Sequence, residues 1–326
     1  VTIALEEAEM AKPKVFIDGE AGTTGLQIYS RLSQRDDLEL VSLEASDRKD
    51  AAARSRVINS VDIAILCLPD DASREAVSFV NSSVKILDAS TAHRTAEGWV
   101  YGFPELQPGQ REKIAQAQFV SVPGCYPTGF LACVCPLMAS GLIPNHFPVT
   151  LNAVSGYSGG GKSLIQQYDE FHAQESPHPF GIYGTKFGHK HVKEMHYYSG
   201  LANPPLFVPA VGDFAQGMLV QVPLPLWMLG NPPSGKEIYD AIATYYEGEP
   251  FVQVAPFQDP VLLRNGTFLD ATEMNGTNIV QVCVFANDDT HEALLVARLD
   301  NLGKGASGAA VQNLNIMLRL SETLSL

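Results

Sequence analysis

Between residues 14 and 124, short apolar runs alternate with helix-like stretches, and this alternation leaves few folds open. KVFIDG (14–19), LELVSLEA (38–45), DIAILCLP (62–69), VKILDAS (84–90) and QFVSVPG (118–124) read as strands. GLQIYSRLSQ (25–34), RKDAAARSRVIN (48–59) and ASREAVSFVNS (72–82) carry the spacing of helices. The strands are rich in Val, Ile and Leu on both faces, so both faces of their sheet must be covered. That predicts an α/β region, a doubly wound parallel sheet.

After residue 125 the rhythm changes. A helix is expected over 127–140, followed by longer strands: FPVTLNAVSG, LFVPAVGDF, GMLVQVPLPLW, FVQVAP and NIVQVCVFAND. Several alternate apolar and polar residues, the pattern of antiparallel strands with one covered face. The tail beyond DNLGKG (300–305) is strongly helical. A chain of 326 residues, 45% hydrophobic, has the length and core for two domains. The expected division is 1–124 plus a returning helix in 300–326, and 125–299 with a mixed, largely antiparallel sheet. Met10 reads as a natural start, with residues 1–9 as an added segment.

The first strand runs into GEAGTTG, which places Gly19, Gly22 and Gly25 at G-x-x-G-x-x-G spacing. Glycines there allow a tight turn and a close approach of backbone to a pyrophosphate, while the helix N-terminus adds positive potential. Thr23 and Thr24 belong to the same turn. At the end of the second strand, Glu44 could bond a ribose hydroxyl, as NAD requires. Ser46 and Arg48 could instead hold the 2′-phosphate of NADP; the residues alone leave this open, with a lean to NADP.

Four of the five cysteines lie in apolar runs and read as core filler. Cys125 is different: it lies in SVPGCYPTGF, between a strand and a helix that Pro127 is suited to start. A thiol at a helix N-terminus is expected to have a lowered pKa, and at the carboxyl edge of a parallel sheet it would face the cofactor. A nucleophilic thiol beside a nicotinamide points to oxidation or reduction at the acyl level. Such a step needs an acid/base group, and GHKHVKEMH (188–196) supplies His189, His191 and Glu194. His191 is the preferred acid/base, oriented by Glu194 if a helix runs through 191–194, with His189 in reserve. No metal is expected from this cluster, because zinc needs three or four convergent ligands.

GYSGGGKS (156–163) matches the phosphate-cradling pattern G-x-x-x-x-G-K-[S/T], which raises an alternative reading as a nucleotidase or kinase. Such loops normally follow an early strand and precede an apolar strand ending in a magnesium-binding Asp. Neither condition is met here. The loop is instead expected to hold an anion of the substrate through Lys162, with Ser155 and Ser158 as polar contacts. A net charge of −14, from 36 acids against 22 bases, argues against nucleic-acid or anionic-membrane partners. An odd number of cysteines without a regular framework fits a reducing cytoplasm.

GEAGTTG, VPGCYPTG, SGYSGGGK, GHKHVKEM and DNLGKGASGAAVQNLN, in that order, resemble the shorter branch of the N-acetyl-γ-glutamyl-phosphate reductases of arginine biosynthesis. The resemblance spans about residues 14–315, with PGCYPT its most specific part. It implies a Rossmann-type NADP domain joined to an α+β substrate and dimerisation domain, and a homodimer or homotetramer. The activity implied is aldehyde-forming reduction of an acyl phosphate through a thioester on Cys125. His191 and the Cys125 amide are implied at the oxyanion, and Asn313 of the last helix near the nicotinamide. The longer branch typically carries HRHxPE; here Lys190 replaces the Arg and Lys193 the Pro.

Overall fold

The fold is described from a computed structural model covering residues 11–81 and 83–326. The reading of residues 1–9 lies outside these residues. The first part of the chain runs β1 (Lys14–Asp18), α1 (Thr23–Leu32), β2 (Glu39–Val41), α2 (Ala51–Ile58), β3 (Ile63–Leu66), α3 (Asp70–Ser78) and β4 (Lys85–Asp88). Then come β5 (Val100–Tyr101), α4 (Gln110–Gln116) and β6 (Phe119–Ser121). Among the described residues these six strands form one parallel sheet in the order β2-β1-β3-β4-β6-β5. The short β5 and α4 were not anticipated, because two residues carry no periodicity. β2 keeps only three residues of the expected eight.

The order reverses between β1 and β3, which opens a crevice at their carboxyl ends, the place where such sheets bind ligands. β3 is buried at every position (IAIL), as a central strand covered on both faces must be.

The second part runs α5 (Cys125–Ala139), β7 (Thr150–Gly156), α6 (Gly161–Ala173), β8 (Phe180–Ile182), α7 (Lys190–Ser199), β9 (Leu206–Gly212) and β10 (Met218–Pro225). It continues with α8 (Gly235–Tyr245), β11 (Val252–Val254), β12 (Val280–Asn287), β13 (Glu292–Leu299) and α9 (Gly308–Met317). Among the described residues seven strands make a mixed sheet, ordered β11-β12-β13-β10-β7-β9-β8. β10 alternates buried and half-buried residues along its length and runs antiparallel to both β7 and β13. β7 and β9 are parallel, which makes the sheet mixed.

α5 is buried from Tyr126 through Leu137. A helix apolar all round must be enclosed all round, and α5 lies in the core shared by β10, β12 and β13. It approaches β10 closely at Gly129, where a Cβ would fall 2.8 Å from a Val220 methyl. α9 is also fully buried and shares the core of β1, α1 and β6 rather than that of the second sheet. Between β13 and α9 the chain makes a single π turn, Gly303–Ser307. Within it Lys304 is buried, its Nζ 2.8 Å from Glu105 Oε1 and 2.6 Å from Gln312 Oε1. A buried ammonium needs such partners.

Candidate active site

Cys125 is the first residue of α5, two positions earlier than expected for the helix. Gly124, its N-cap, is extended (φ −74°, ψ 154°), and no side chain caps the helix. The first amides of α5 therefore remain free to meet negative charge.

Asp88, buried at the end of β4, folds the loop that follows. It accepts from the Ser90 amide (2.9 Å) and hydroxyl (2.8 Å) and pairs with His93 Nδ1 (2.6 Å). That turns Arg94 inward, where its Nε donates to the Val122 carbonyl at 2.9 Å. Glu194, on α7, completes the cluster. Its Oε2 takes Arg94 Nη1 at 3.0 Å; its Oε1 takes the Tyr101 hydroxyl at 2.6 Å and the Gly124 amide at 2.8 Å. Tyr198 stacks on Tyr101 at 3.9 Å and donates its hydroxyl to the Arg94 carbonyl at 2.6 Å.

Glu194 therefore does not orient His191, contrary to the expectation; it holds Arg94 and the turn before Cys125. The helical spacing placed residues 191 and 194 on one face, but the three donors on Glu194 come from β5, the β4 loop and the α5 cap. Burial works against charge on Arg94, while Glu194 sustains it, and the net direction is upward.

His191 and Arg94 both press on Gly124. A Cβ there would lie 2.5 Å from Arg94 Nη1 and 2.9 Å from His191 Nε2, so the position has room only for glycine. His191 Nδ1 is buried without a hydrogen-bond partner. Burial, followed by the charge of Arg94, pushes the imidazole well below its ordinary pKa, so it is neutral at pH 7. His189 caps α7, accepting from the His191 amide at 3.2 Å, and its pKa too is lowered by burial.

The lowered thiol pKa expected for Cys125 is not found in the resting site. Burial pushes it up to about 11, against the opposite pull of the Tyr126 amide and the Arg94 charge. A helix N-terminus stabilises a thiolate, but removing water from it costs more. On the other side of Cys125, Gly305 of the π turn packs so closely that a Cβ would lie 2.8 Å from the Cys125 Cβ.

These groups open on a cleft of about 1000 Å³ that runs from Thr23 and Thr24 past Arg94, Cys125 and His191 to Tyr168 and Tyr183. Ser155, Ser158, His189 and Lys190 also line it. The Ser155 hydroxyl donates to the Gly156 carbonyl (3.0 Å), and that of Ser158 accepts from Asn301 Nδ2 (3.0 Å). Asn301 also takes the Gly217 amide at 2.8 Å, tying the glycine-rich turn to the end of β13.

Lys162 lies elsewhere. With Gly161 it lines a smaller cavity of about 320 Å³, opposite Gly22, Thr23, Thr24 and Gly25. Thr23, Thr24 and Gly161 line both cavities, so the lysine stands beside the glycine loop rather than among the groups around Cys125 where the substrate contact was expected. GYSGGGKS does form strand, turn and helix, but the lysine at the start of that helix shares a cavity with the first glycine loop. The crevice of the parallel sheet suits a dinucleotide. Gly19 has φ +89°, and a Cβ on it would lie 2.4 Å from the Cys67 carbonyl. A Cβ on Gly25 would lie 2.4 Å from the Gly19 carbonyl. The start of α1 carries no side-chain cap, leaving its amides for a pyrophosphate.

Three expected cofactor contacts stand differently. Asn313 is fully buried, donating to the carbonyls of Gly102 (2.7 Å) and Ala309 (2.8 Å), and is not among the residues lining either cavity. It holds α9 to the strand region, a buried polar role that periodicity cannot distinguish from ligand contact. Ser46 donates to Asp47 at 3.1 Å, and Arg48 is ion-paired with Glu20. Arg94 was missed altogether. Its available signal was an arginine just past the carboxyl end of a parallel strand, the ligand-binding edge of such sheets.

A dinucleotide crevice opening beside a cysteine at a helix start defines an oxidoreductase of the nicotinamide-dependent, aldehyde-forming class. Family models agree: one described as "Semialdehyde dehydrogenase, NAD binding domain" matches residues 14–117, and one described as "Semialdehyde dehydrogenase, dimerisation domain" matches 125–301. A protein of a Nostoc species named N-acetyl-gamma-glutamyl-phosphate reductase 2 is 78% identical over 97% of this chain and all of its own length. One of a Chelativorans species named N-acetyl-gamma-glutamyl-phosphate reductase is 51% identical over 94% of this chain and 98% of its own. The chain belongs to the semialdehyde dehydrogenase family and, within it, to the N-acetyl-gamma-glutamyl-phosphate reductases. A solved aspartate semialdehyde dehydrogenase II from Vibrio cholerae shares the fold, with a TM-score of 0.70 at 16% identity over 95% of this chain and 99% of its own. No helix among the described residues is long and apolar enough to cross a membrane.

Proposed function

We propose that this chain reduces N-acetyl-γ-glutamyl phosphate to N-acetylglutamate semialdehyde, releasing phosphate, through a thioester on Cys125. The observation that carries the reading is the packing of Arg94 and His191 against Gly124, beside Cys125, in a cleft continuous with the glycine loop. Neutral His191 accepts the thiol proton as the sulfur adds to the acyl carbon. The free amides at the start of α5 meet the developing oxyanion, as oriented donors do in acyl transfer. As this adduct collapses, the acyl C–O bond to the phosphate breaks and the thioester remains; the departing phosphate takes a proton from solvent and is held by Arg94 and Lys190, which line the same cleft. Ser155, Ser158 and His189 contact the remainder of the substrate. NADPH, when bound, supplies the hydride to the acyl carbon. The resulting thiohemiacetal collapses, the C–S bond breaks, and the proton on His191 returns to the sulfur.

Gly19, Gly22, Thr23, Thr24 and Gly25 would hold the pyrophosphate, and Arg48 with Ser46 the 2′-phosphate. Lys162 belongs to this set. Lys162→Ala is expected to raise the dissociation constant of NADP(H) about tenfold, the worth of one charge-assisted contact. The KM for the semialdehyde should stay within twofold. Nicotinamide fluorescence reads the first and steady-state kinetics the second; the opposite split would return Lys162 to the substrate.

The parts of the chain beyond the catalytic groups fit a cytoplasmic homodimer or homotetramer. The five cysteines are all unpaired, and Leu206 on β9 and Trp227 in the turn just past β10 are exposed for self-association. The activity is tested in reverse, by supplying N-acetylglutamate semialdehyde, phosphate and NADP and following NADPH formation. Phosphate-dependent turnover is expected, with aspartate semialdehyde a poor substitute. An absence of phosphate dependence would refute the reading.

A further inference from the structure

Arg48, the cation assigned above to the 2′-phosphate, does not stand free. It is ion-paired with Glu20, the second residue of the glycine loop, and its own side chain remains 43% exposed. The other oxygen of Glu20 accepts from the Ser42 hydroxyl at 3.1 Å, which fixes the carboxylate just beyond the end of β2. Ser46 is likewise turned to a carboxylate, that of Asp47. The chain just past β2, the place where folds of this kind read the ribose, thus carries an acid and a base in contact, not a free base.

This pairing decides how the two dinucleotides compete. A 2′-phosphate brings nearly two negative charges to a guanidinium that is already neutralised, and it must share or displace Glu20. A 2′-hydroxyl brings no charge and can donate to a carboxylate, the usual recognition of NAD in such folds. The expected acid for that task was Glu44, but the one fixed against Arg48 is Glu20.

We propose that Glu20 sets the cofactor selectivity of this enzyme: by pairing with Arg48 it weakens the preference for a 2′-phosphorylated dinucleotide and admits a free ribose diol. The proposal rests on the assignment of Arg48 to the 2′ position. Removing one like charge next to a bound phosphate at a partly exposed site is worth about tenfold in affinity.

The test is direct titration of NADPH and NADH, read by nicotinamide fluorescence in the full chain without substrate, for the parent, Glu20→Gln and Arg48→Ala. Glu20→Gln keeps the size and a hydrogen-bond acceptor, so the fold is not at issue. It should tighten NADPH about tenfold and weaken NADH by about twofold to threefold, as its neutral amide accepts less strongly. Arg48→Ala should weaken NADPH about tenfold and leave NADH within twofold. An unchanged or lowered NADPH-to-NADH selectivity in Glu20→Gln, with Arg48→Ala behaving as stated, overturns the role of Glu20 alone. If Arg48→Ala leaves NADPH binding intact, the 2′-phosphate assignment fails and the proposal falls with it.

Discussion

Replacing Cys125 by serine is expected to lower phosphate-dependent NADPH formation by at least about 10³-fold, with NADPH binding unchanged. A serine hydroxyl at the start of α5 would meet the same amides and the same His191, but it is a poorer nucleophile and a far weaker acid than a thiol. Cys125 shares its cleft with Thr23 and Thr24, but serine differs from cysteine by one atom and keeps the backbone of the helix start, so dinucleotide affinity should not move. The resting charge state adds a second readout. With the thiol pushed up to about 11 and His191 held neutral by burial, the pair at pH 7 is an uncharged thiol beside an uncharged imidazole. Only the thiolate reacts with iodoacetamide. A raised thiol pKa means that the reactive form is scarce at neutrality and grows as pH rises toward 11. The alkylation rate of Cys125 should therefore climb about tenfold per pH unit between roughly 7 and 10. Activity surviving in the serine variant would sink the thioester route; an alkylation rate already level at pH 7 would show an acidic thiol instead.

Glu194→Ala should cost about 3–5 kcal/mol of stability, because it strands the Arg94 guanidinium in a buried site. The Arg94 side chain is 8% exposed and that of Glu194 3%, so water cannot take the place of the lost carboxylate. The Tyr101 hydroxyl and the Gly124 amide lose their acceptor in the same change. Activity should fall with stability, since the Gly124 amide immediately precedes Cys125. Glu194→Gln retains one acceptor oxygen and should recover part of both losses. Denaturant unfolding monitored at two wavelengths measures the first effect. A loss under about 1 kcal/mol for the alanine variant would mean that Arg94 finds another partner or solvent.

Much of this architecture was legible in the chain itself. Strands apolar on both faces, separated by helices, imply a covered parallel sheet, and β3 and β4 appear where DIAILCLP and VKILDAS place them. The helical tail was expected to return to the first domain, and α9 is enclosed along its whole length in the core of β1, α1 and β6. Where the site departs from these expectations, the reasons are physical. Glu194 was assigned to His191 by helical spacing, but a carboxylate with two oxygens answers to every donor around it, and these came from residues 94, 101 and 124. Lys162 was assigned by motif, and a motif describes what a loop can hold, not which cavity it faces. Asn313 was assigned by resemblance and proved to be an internal clamp on the Gly102 carbonyl.

The sequence by itself determined the local matters: where chain reversals need glycine, which segments must be covered, and that the Cys125 thiol sits between a strand and a helix start. These depend on backbone sterics and on neighbours a few residues away. Only the tertiary structure decided the chemistry of the site. The thiol pKa, the charge on His191, the partners of Arg94 and the direction of Lys162 depend on desolvation and on groups distant along the chain. Arg94 and Glu194, a hundred residues apart in sequence, meet at 3.0 Å, and no local pattern records that contact.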